Sequence, residues 1–345
     1  MKKKIRIYAT LRNKSLNSYL FSKKLPQINN IPRDKVSANR WVDFKKILNK
    51  NNIYINSSKK FFTKRNYDFE FHFCSNISNN SDKLKYCILP EISFIDKECK
   101  IELLKKDYHK IFTNIKSDVD NKKSFYVNWP FKFDNQKIFT NKKKFLCMIS
   151  SNKNLNCYTN KSGYILRAKL IKWFIKNYPD KLDLYGKGWN YLFSSNYFLN
   201  RFYSFIKNHL FIKIMINNPC FKGLYKKSSH NLIKTYKFMI CFENVINVKG
   251  YSGGAMFDAL YASTIPVFIG RPDIYKVVPK NCFIDFRDFK NFNELYCYLK
   301  NMSKKQYERY LFNINKFLKK KNNEYSVENL SKVVLKQLNK DVKLI

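Results

Sequence analysis

YKFMICFENVINVKGYSGGAMFDALYASTIPVFIG, residues 236–270, decides the fold of this chain. Phe238 to Phe242 is a continuous apolar run of strand length that ends at the polar pair Glu243-Asn244. That is the pattern of a buried parallel strand delivering side chains at its carboxyl end. After a polar loop and Tyr251-Ser252-Gly253-Gly254, residues Ala255 to Ala262 place apolar side chains at helical spacing, with alanines that suit a helix lying close to a sheet. The helix stops at Ser263-Thr264, and Ile265 to Ile269 is a second apolar strand closed by Gly270. The stretch predicts a β-loop-α-β crossover whose loop lies at the carboxyl edge of a parallel sheet, where α/β proteins bind ligands. Gly253 and Gly254 would present backbone N–H groups at the positive end of the helix dipole, which suits a diphosphate. A plain turn with Ser252 as N-cap is the other reading.

Working outward, the same alternation of strand and helix runs through the chain. Lys4 to Tyr8, Phe69 to Cys74, Tyr86 to Glu91, Ile111 to Thr113 and Phe125 to Val127 read as strands, with an amphipathic helix over Asn39 to Leu48. Phe145 to Ile149 opens a second series, followed by a helix over Arg167 to Ile175, the strand Leu182 to Tyr185, and Gly186-Lys187-Gly188-Trp189. Strands alternating with helices imply α/β domains of Rossmann type. The expected division is a first domain over 1–138, a second over 139–322, and a closing helix over 323–345 that packs back across both. Residues 190–222, rich in Phe, Tyr and Asn, read as a helical insertion, either structural or on the acceptor side.

A net charge of +42 over 345 residues would ordinarily point to nucleic acid. Here the lysines are spread evenly among Asn, Ile, Tyr and Phe, as an AT-rich genome would impose, and no basic block stands apart. The lysine runs at 142–144 and 318–321 read as solvated surface. Loose attraction to anionic lipid or to a diphosphate is the physical residue of that charge. Nine cysteines, an odd count with no C-x-x-C pair, argue for a reducing compartment and against a disulfide framework or a zinc site. With no apolar leader or spanning run in the sequence, the expected location is cytoplasmic, peripheral at most to the inner face of a membrane.

Several of these pieces together resemble glycosyltransferase family 10, the alpha-1,3-fucosyltransferase-like enzymes. Tyr236-Lys237-Phe238, Phe242-Glu243-Asn244, Tyr251, Asp258-Ala259, Thr264 to Val267 and Gly270 fit that family's C-terminal motif. Phe145 to Ile149 with Ser151-Asn152-Lys153, Arg167, Asp183 to Trp189, and Asp285 to Phe289 extend the likeness from residue 86 to about 318. The departure is at Gly253-Gly254-Ala255, where family members carry Thr-Glu-Lys, so a carboxylate and a lysine are missing.

The resemblance implies two Rossmann-like domains facing across a cleft, the GT-B arrangement. It implies inverting, metal-independent transfer from a GDP-fucose donor, with no cofactor, while the signal-free chain suggests lipopolysaccharide or a related surface glycan as acceptor. It assigns Glu91 as the base that takes the acceptor's proton and Arg167 as the cation that neutralises the departing diphosphate. Asn152, Tyr236, Glu243, Asn244, Lys249, Tyr251, Gly253 and Gly254 are then the donor-binding residues, with Lys249 or Arg271 standing in for the missing lysine. Two other readings stay open: a degenerate or re-specified member that binds a nucleotide sugar with little turnover, and a basic nucleic-acid binder, which the motifs disfavour.

Overall fold

The structure, a computed structural model, describes residues 4–11, 20–21, 27–28, 31–32, 35–57, 67–73, 82–89, 91–130, 139–155, 159–210, 212, 214–225, 229–321 and 324–341. Cys74, Cys157 and the last residues of the expected closing helix lie outside these. The chain divides into two units, one formed by residues 1–134 with 321–345 and the other by 135–320.

The first unit is a six-stranded, wholly parallel sheet of β1 (Ile5–Leu11), β4 (Ile53–Asn56), β5 (Phe69–Phe73), β6 (Leu84–Leu89), β7 (Lys110–Thr113) and β8 (Ser124–Tyr126), in the order β4-β1-β5-β6-β7-β8. A small antiparallel ribbon joins β2 (Gln27–Ile28) to β3 (Ile31–Pro32). Strand alternation sorts the core. Tyr86 and Ile88 of β6 join Ile7, Phe69 and Phe71 beneath α1 (Lys35–Lys50), whereas Cys87 and Leu89 face α2 (Ile101–Asp107) and Tyr108. The closing helix, designated α9 (Val327–Asp341), belongs to this unit. Its Leu330, Val334 and Leu338 complete the α1 side of the core, and Asp341 accepts a hydrogen bond from the buried Tyr86 hydroxyl at 2.7 Å.

The second unit is a five-stranded parallel sheet of β9 (Lys144–Ile149), β10 (Leu182–Tyr185), β11 (Tyr236–Phe242), β12 (Ile265–Ile269) and β13 (Ile284–Asp285), ordered β10-β9-β11-β12-β13. Helices α3 (Gly163–Asn177), α6 (Ala255–Tyr261), α7 (Phe292–Lys300) and α8 (Lys304–Lys321) accompany it, with the short α5 (Ser229–Ile233) before β11. Every residue of β12 and all but Lys237 of β11 are buried, as expected of central parallel strands covered on both faces. The expected aromatic-rich insertion holds α4 (Tyr197–His209) and an extended return in which Ile214 and Ile216 pair with Leu192 and Asn190. No described helix is long and apolar enough to cross a membrane.

The seven described cysteines are free thiols, six of them buried, where they pack as small apolar side chains. One surface expectation fails. Lys142 is not solvated: its ammonium donates to the carbonyls of Lys234 and Ala262, both at 2.9 Å, and to Thr264 Oγ1 at 3.2 Å. It thereby joins the ends of α5 and α6 to the start of β12. Burial, with Lys234 nearby, pushes it down to about 7.

Candidate functional site

In the second sheet the order of strands reverses between β9 and β11. Where connections leave in opposite directions the carboxyl ends of two neighbouring strands diverge, and a crevice opens there for ligand. Three pieces of chain meet at this point. The segment after β9 carries Asn152, the end of β11 delivers Glu243 and Asn244, and the first turns of α3 bring Arg167.

Glu243 is the best-enclosed side chain of the group, only 4% exposed. Glycines make room for it. A Cβ on Gly253 would fall 2.5 Å from Glu243 Oε2, and one on Gly270 would fall 2.5 Å from its Cγ. A Cβ on Gly163 would fall 1.7 Å from its backbone carbonyl oxygen. None of the three has a positive φ, so their glycine is a matter of space and not of backbone conformation. The carboxylate accepts a hydrogen bond from the Gly253 N–H at 2.9 Å, while Gly163 donates to the Asn244 carbonyl at 3.0 Å. The strand end, the α3 start and the loop before α6 are therefore fastened through one residue pair.

Arg167 is buried against the same strand end. Its Nε donates to the Phe242 carbonyl at 2.9 Å, and Nη2 reaches that carbonyl too and Asn244 Oδ1 at 3.0 Å. The guanidinium lies over the Tyr164 ring, 5.1 Å from its centroid. Burial lowers its proton affinity, and Tyr164 and Glu243 oppose that. The amide of Asn244 turns its Nδ2 to the Tyr251 hydroxyl at 3.4 Å, so Arg167, Asn244 and Tyr251 form one hydrogen-bonded set, with Glu243 next to it in the chain and tied to Gly253.

A model of the family described as glycosyltransferase family 10 (fucosyltransferase) C-term matches residues 139–339, more than half of the chain and all of this edge. The chain belongs to glycosyltransferase family 10. An alpha-(1,3)-fucosyltransferase of Helicobacter pylori is similar to it, 36% identical over 78 residues, which are 23% of this chain and 16% of that protein. A human 3-galactosyl-N-acetylglucosaminide 4-alpha-L-fucosyltransferase is 26% identical over 148 residues, 42% of this chain and 36% of that protein. The matched stretches thus span between a sixth and about a third of these relatives. Anabaena HepE in complex with UDP shares the fold over 97% of this chain and 100% of that one, at a TM-score of 0.53 and 9% identity. Two parallel-sheet α/β units of GT-B type are thereby established as the fold class.

Within this family 10 edge, several expected donor contacts are placed otherwise. Helix α6 has seven residues and Gly254, not Ser252, as N-cap, at φ −84° with no side-chain cap. The Gly253 N–H is not offered to solvent but to Glu243. Arg271 is no stand-in for the missing lysine. It is 2% exposed, grips Asp273 through Nε and Nη2 at 2.8 and 2.5 Å, and donates to the Gly250 carbonyl at 3.1 Å. That clamp holds the loop between β11 and α6, and the Arg271 hydrogen bonds keep the Asp273 carboxyl well below the usual range. Lys249 is exposed at the tip of the same loop.

Tyr236 lies at the other end of its strand. Six residues of β-strand separate it from the carboxyl edge by about 20 Å, and its hydroxyl donates to Asp183 Oδ2 at 2.6 Å, beside Tyr185 and Lys144. The structure therefore does not bring Tyr236 to the site. Asn152 does reach the carboxyl edge, where its Nδ2 donates to the Gly188 carbonyl at 3.1 Å and so ties the β9 loop to the turn after β10. In the first unit the reversal lies between β1 and β5, and Glu91 emerges after β6, one strand further on.

Two carboxylates at strand ends escaped the sequence reading. Asp273 follows β12, and Asp285 ends β13, where Arg287 grips it at 2.8 and 2.6 Å and the Tyr275 hydroxyl donates to it. Burial alone would raise Asp285, but these bonds outweigh it and hold the carboxyl low. The signal was present as Arg271-Pro-Asp273 and Asp285-Phe-Arg287, an arginine and an aspartate two apart just beyond an apolar strand. Also missed was a buried set in the first unit, where Glu70 and His72 of β5 share hydrogen bonds with Tyr67 and Tyr108. Alternating polar residues inside Phe69-Glu-Phe-His-Phe73 announced it.

Proposed function

We propose that this chain transfers fucose from GDP-fucose to a glycan hydroxyl with inversion and without a metal. The observation that carries the reading is the hydrogen-bonded set Arg167, Asn244 and Tyr251, beside the buried Glu243, at the reversal point of the second sheet in a chain of this family. Arg167 Nη1 makes no hydrogen bond to a described residue, so one nitrogen of an otherwise anchored guanidinium is left for an anion. A fixed cation suits a leaving diphosphate, because its attraction grows as charge develops and costs no reorganisation. Lys249, exposed on the loop, adds a second charge. Glu243, Asn244 and Asn152 supply acceptors and donors for sugar and ribose hydroxyls.

In this reading the acceptor oxygen forms a bond to the anomeric carbon as the bond to the β-phosphate oxygen breaks. Glu91 takes the acceptor's proton, and GDP departs with the electron pair. The acceptor is proposed to be a surface glycan or lipopolysaccharide, met on the cytoplasmic side of a membrane. GDP should raise the melting temperature more than UDP or CMP at equal concentration, by binding the native state. A larger shift with UDP would remove fucose as the donor.

One observation favours a second reading. Ala255 stands where the family carries lysine, and the neighbouring Gly253 N–H is already engaged by Glu243. Loss of a charge-assisted contact is worth ~1.5–3 kcal/mol, or ~10–100-fold in rate. A GDP-stabilised protein that neither hydrolyses GDP-fucose nor transfers from it would be such a weakened or re-specified member.

A further inference from the structure

Helix α4 is mounted with its polar side inward. Asn200, 3% exposed, donates to Asn154 Oδ1 at 2.6 Å and accepts from the Ser194 N–H at 3.0 Å, while Asn154 Nδ2 donates to Ser204 Oγ at 3.0 Å. The start of the helix is fixed by Asn196, whose Oδ1 accepts from the Phe198 and Leu199 N–H groups. With Tyr197, Asn200 and Ser204 turned to the protein, the phenylalanines turn out. Phe198, Phe202 and Phe205 follow at spacings of four and three and are 65%, 56% and 52% exposed. The return strand adds Ile212, Ile214 and Met215, the last 67% exposed. An ordinary surface helix buries its apolar stripe and shows its polar one. This helix buries Tyr197 and Asn200 but leaves three phenylalanines out, and its hydrogen bonds hold it so.

The stretch of chain that holds this face carries only positive charge. From Leu184 to Phe242 the sequence holds no Asp or Glu and nine Lys or Arg. Exposed Arg201 stands on the helix itself, and exposed Lys222, 3.8 Å from Asp183, follows the return strand. Aromatic and aliphatic groups on a short helix with a basic surround match the boundary between anionic headgroups and acyl chains. There the rings enter the apolar layer and the cations meet phosphate. The helix is ~20 Å long, enough to lie in that boundary but not to cross it.

We propose that the α4 face docks this chain on an anionic lipid bilayer. Asn154 follows β9 and Trp189 follows β10, so the insertion hangs from the same carboxyl edge of the second sheet that carries Arg167 and Glu243. Docking through α4 brings that edge to the membrane surface. The lysine runs at 142–144 and 318–321 play no part in it. The inference needs no particular donor and stands apart from the transfer reaction.

The test is co-sedimentation with vesicles of phosphatidylcholine alone or with about 30% phosphatidylglycerol, at about 0.15 M salt. Wild type is expected on the anionic vesicles and not on the neutral ones. The triple variant Phe198→Ser, Phe202→Ser, Phe205→Ser should lose at least ~10-fold in partitioning, since each ring contributes apolar burial. Because the three rings are exposed, its melting temperature and its GDP-induced shift should match wild type. A triple variant that binds as wild type does would mean that charge alone acts, and would overturn the proposal. So would absence of binding by wild type. A wild-type dimer in sedimentation velocity that the triple variant loses, without vesicle binding by either, would assign the face to a second copy instead.

Discussion

Strand β11 starts at Tyr236 and delivers Glu243 just past its end, and its two ends treat buried polar groups in opposite ways. At the amino end Tyr236, Asp183, Tyr185 and Lys144 satisfy one another, and Lys142 ties three separate pieces of chain through oxygens. Each group there is consumed by the fold. At the carboxyl end Glu243 and Arg167 are just as buried, yet they sit at the reversal of strand order, beside a loop with an exposed lysine. A guanidinium nitrogen there makes no hydrogen bond to a described residue. Burial alone does not tell a bolt from a site; location in the sheet and unfilled hydrogen-bonding capacity do.

The largest expected effect comes from removing the carboxyl end's cation. Arg167→Ala should cost ~10²–10³-fold in kcat/KM for transfer. Contrary to what a surface arginine would give, it should also lower the melting temperature, because the Phe242 carbonyl and Asn244 lose their donor. An Arg167→Ala protein that keeps wild-type transfer would erase the distinction between the two ends. Next comes Gly253→Ala. The added methyl meets Glu243 Oε2 at 2.5 Å, so the carboxylate must move. Overpacking of this kind costs ~1–3 kcal/mol, and the GDP-induced thermal shift should shrink more than the protein loses stability. If donor response survives intact, Glu243 only shapes the loop.

At the amino end Tyr236→Phe should do the reverse. It removes a hydrogen bond to a carboxylate, ~1.5–3 kcal/mol, lowering the melting temperature with kcat/KM and the GDP response unchanged. A loss of GDP affinity in this variant would restore Tyr236 to the donor site.

The smallest effects are pH slopes, and they have different signs of origin. Lys142 titrates near 7 folded and near 10.5 free, so the unfolded chain holds the extra proton between those values and this group makes stability rise with pH across that window. Subtracting the profile of Lys142→Met from that of wild type should reveal the slope. Asp273 is held low by Arg271, so its contribution is complete above the ordinary carboxylate value of about 4 and is lost as pH falls through the lower folded value. Asp273→Asn should flatten wild type's acid-side loss. Equal profiles in either comparison would mean that the clamp or the tie contributes nothing.

Much of the fold was legible because parallel sheets announce themselves as apolar runs that end in polar residues. Phe238 to Phe242, Ile265 to Ile269 and Phe145 to Ile149 each became a strand, and Glu243 and Asn244 emerge where the run breaks. What stayed hidden depends on partners remote in sequence. Gly163 is 80 residues from Glu243, so nothing local says that its missing side chain serves that residue. Gly253-Gly254 had the form of a phosphate turn, and only the fold shows a carboxylate lying on it. Tyr236 shares a motif with Glu243, yet Asp183 decides its task. Lys142 looked like one more lysine among many until three oxygens surrounded it. In α4 the spacing of the aromatics was readable, but which side would face the protein was set by Asn154 and Ser194.

The enclosure of Glu243 by glycines also bears on how this chain can change. The protein has eight glycines in 345 residues, against an ordinary share near 7%. Four hold positive φ, three leave room for Glu243, and the last caps α6. Every glycine codon opens with two guanines, and a single change of either to A or T gives arginine, serine, glutamate, aspartate, valine, cysteine or tryptophan where it leaves an amino acid. Beside Glu243 each of those puts a bulky side chain where even a methyl does not fit. Such changes are barred at these positions, and the sparse glycines trace the geometry that the chain cannot trade away.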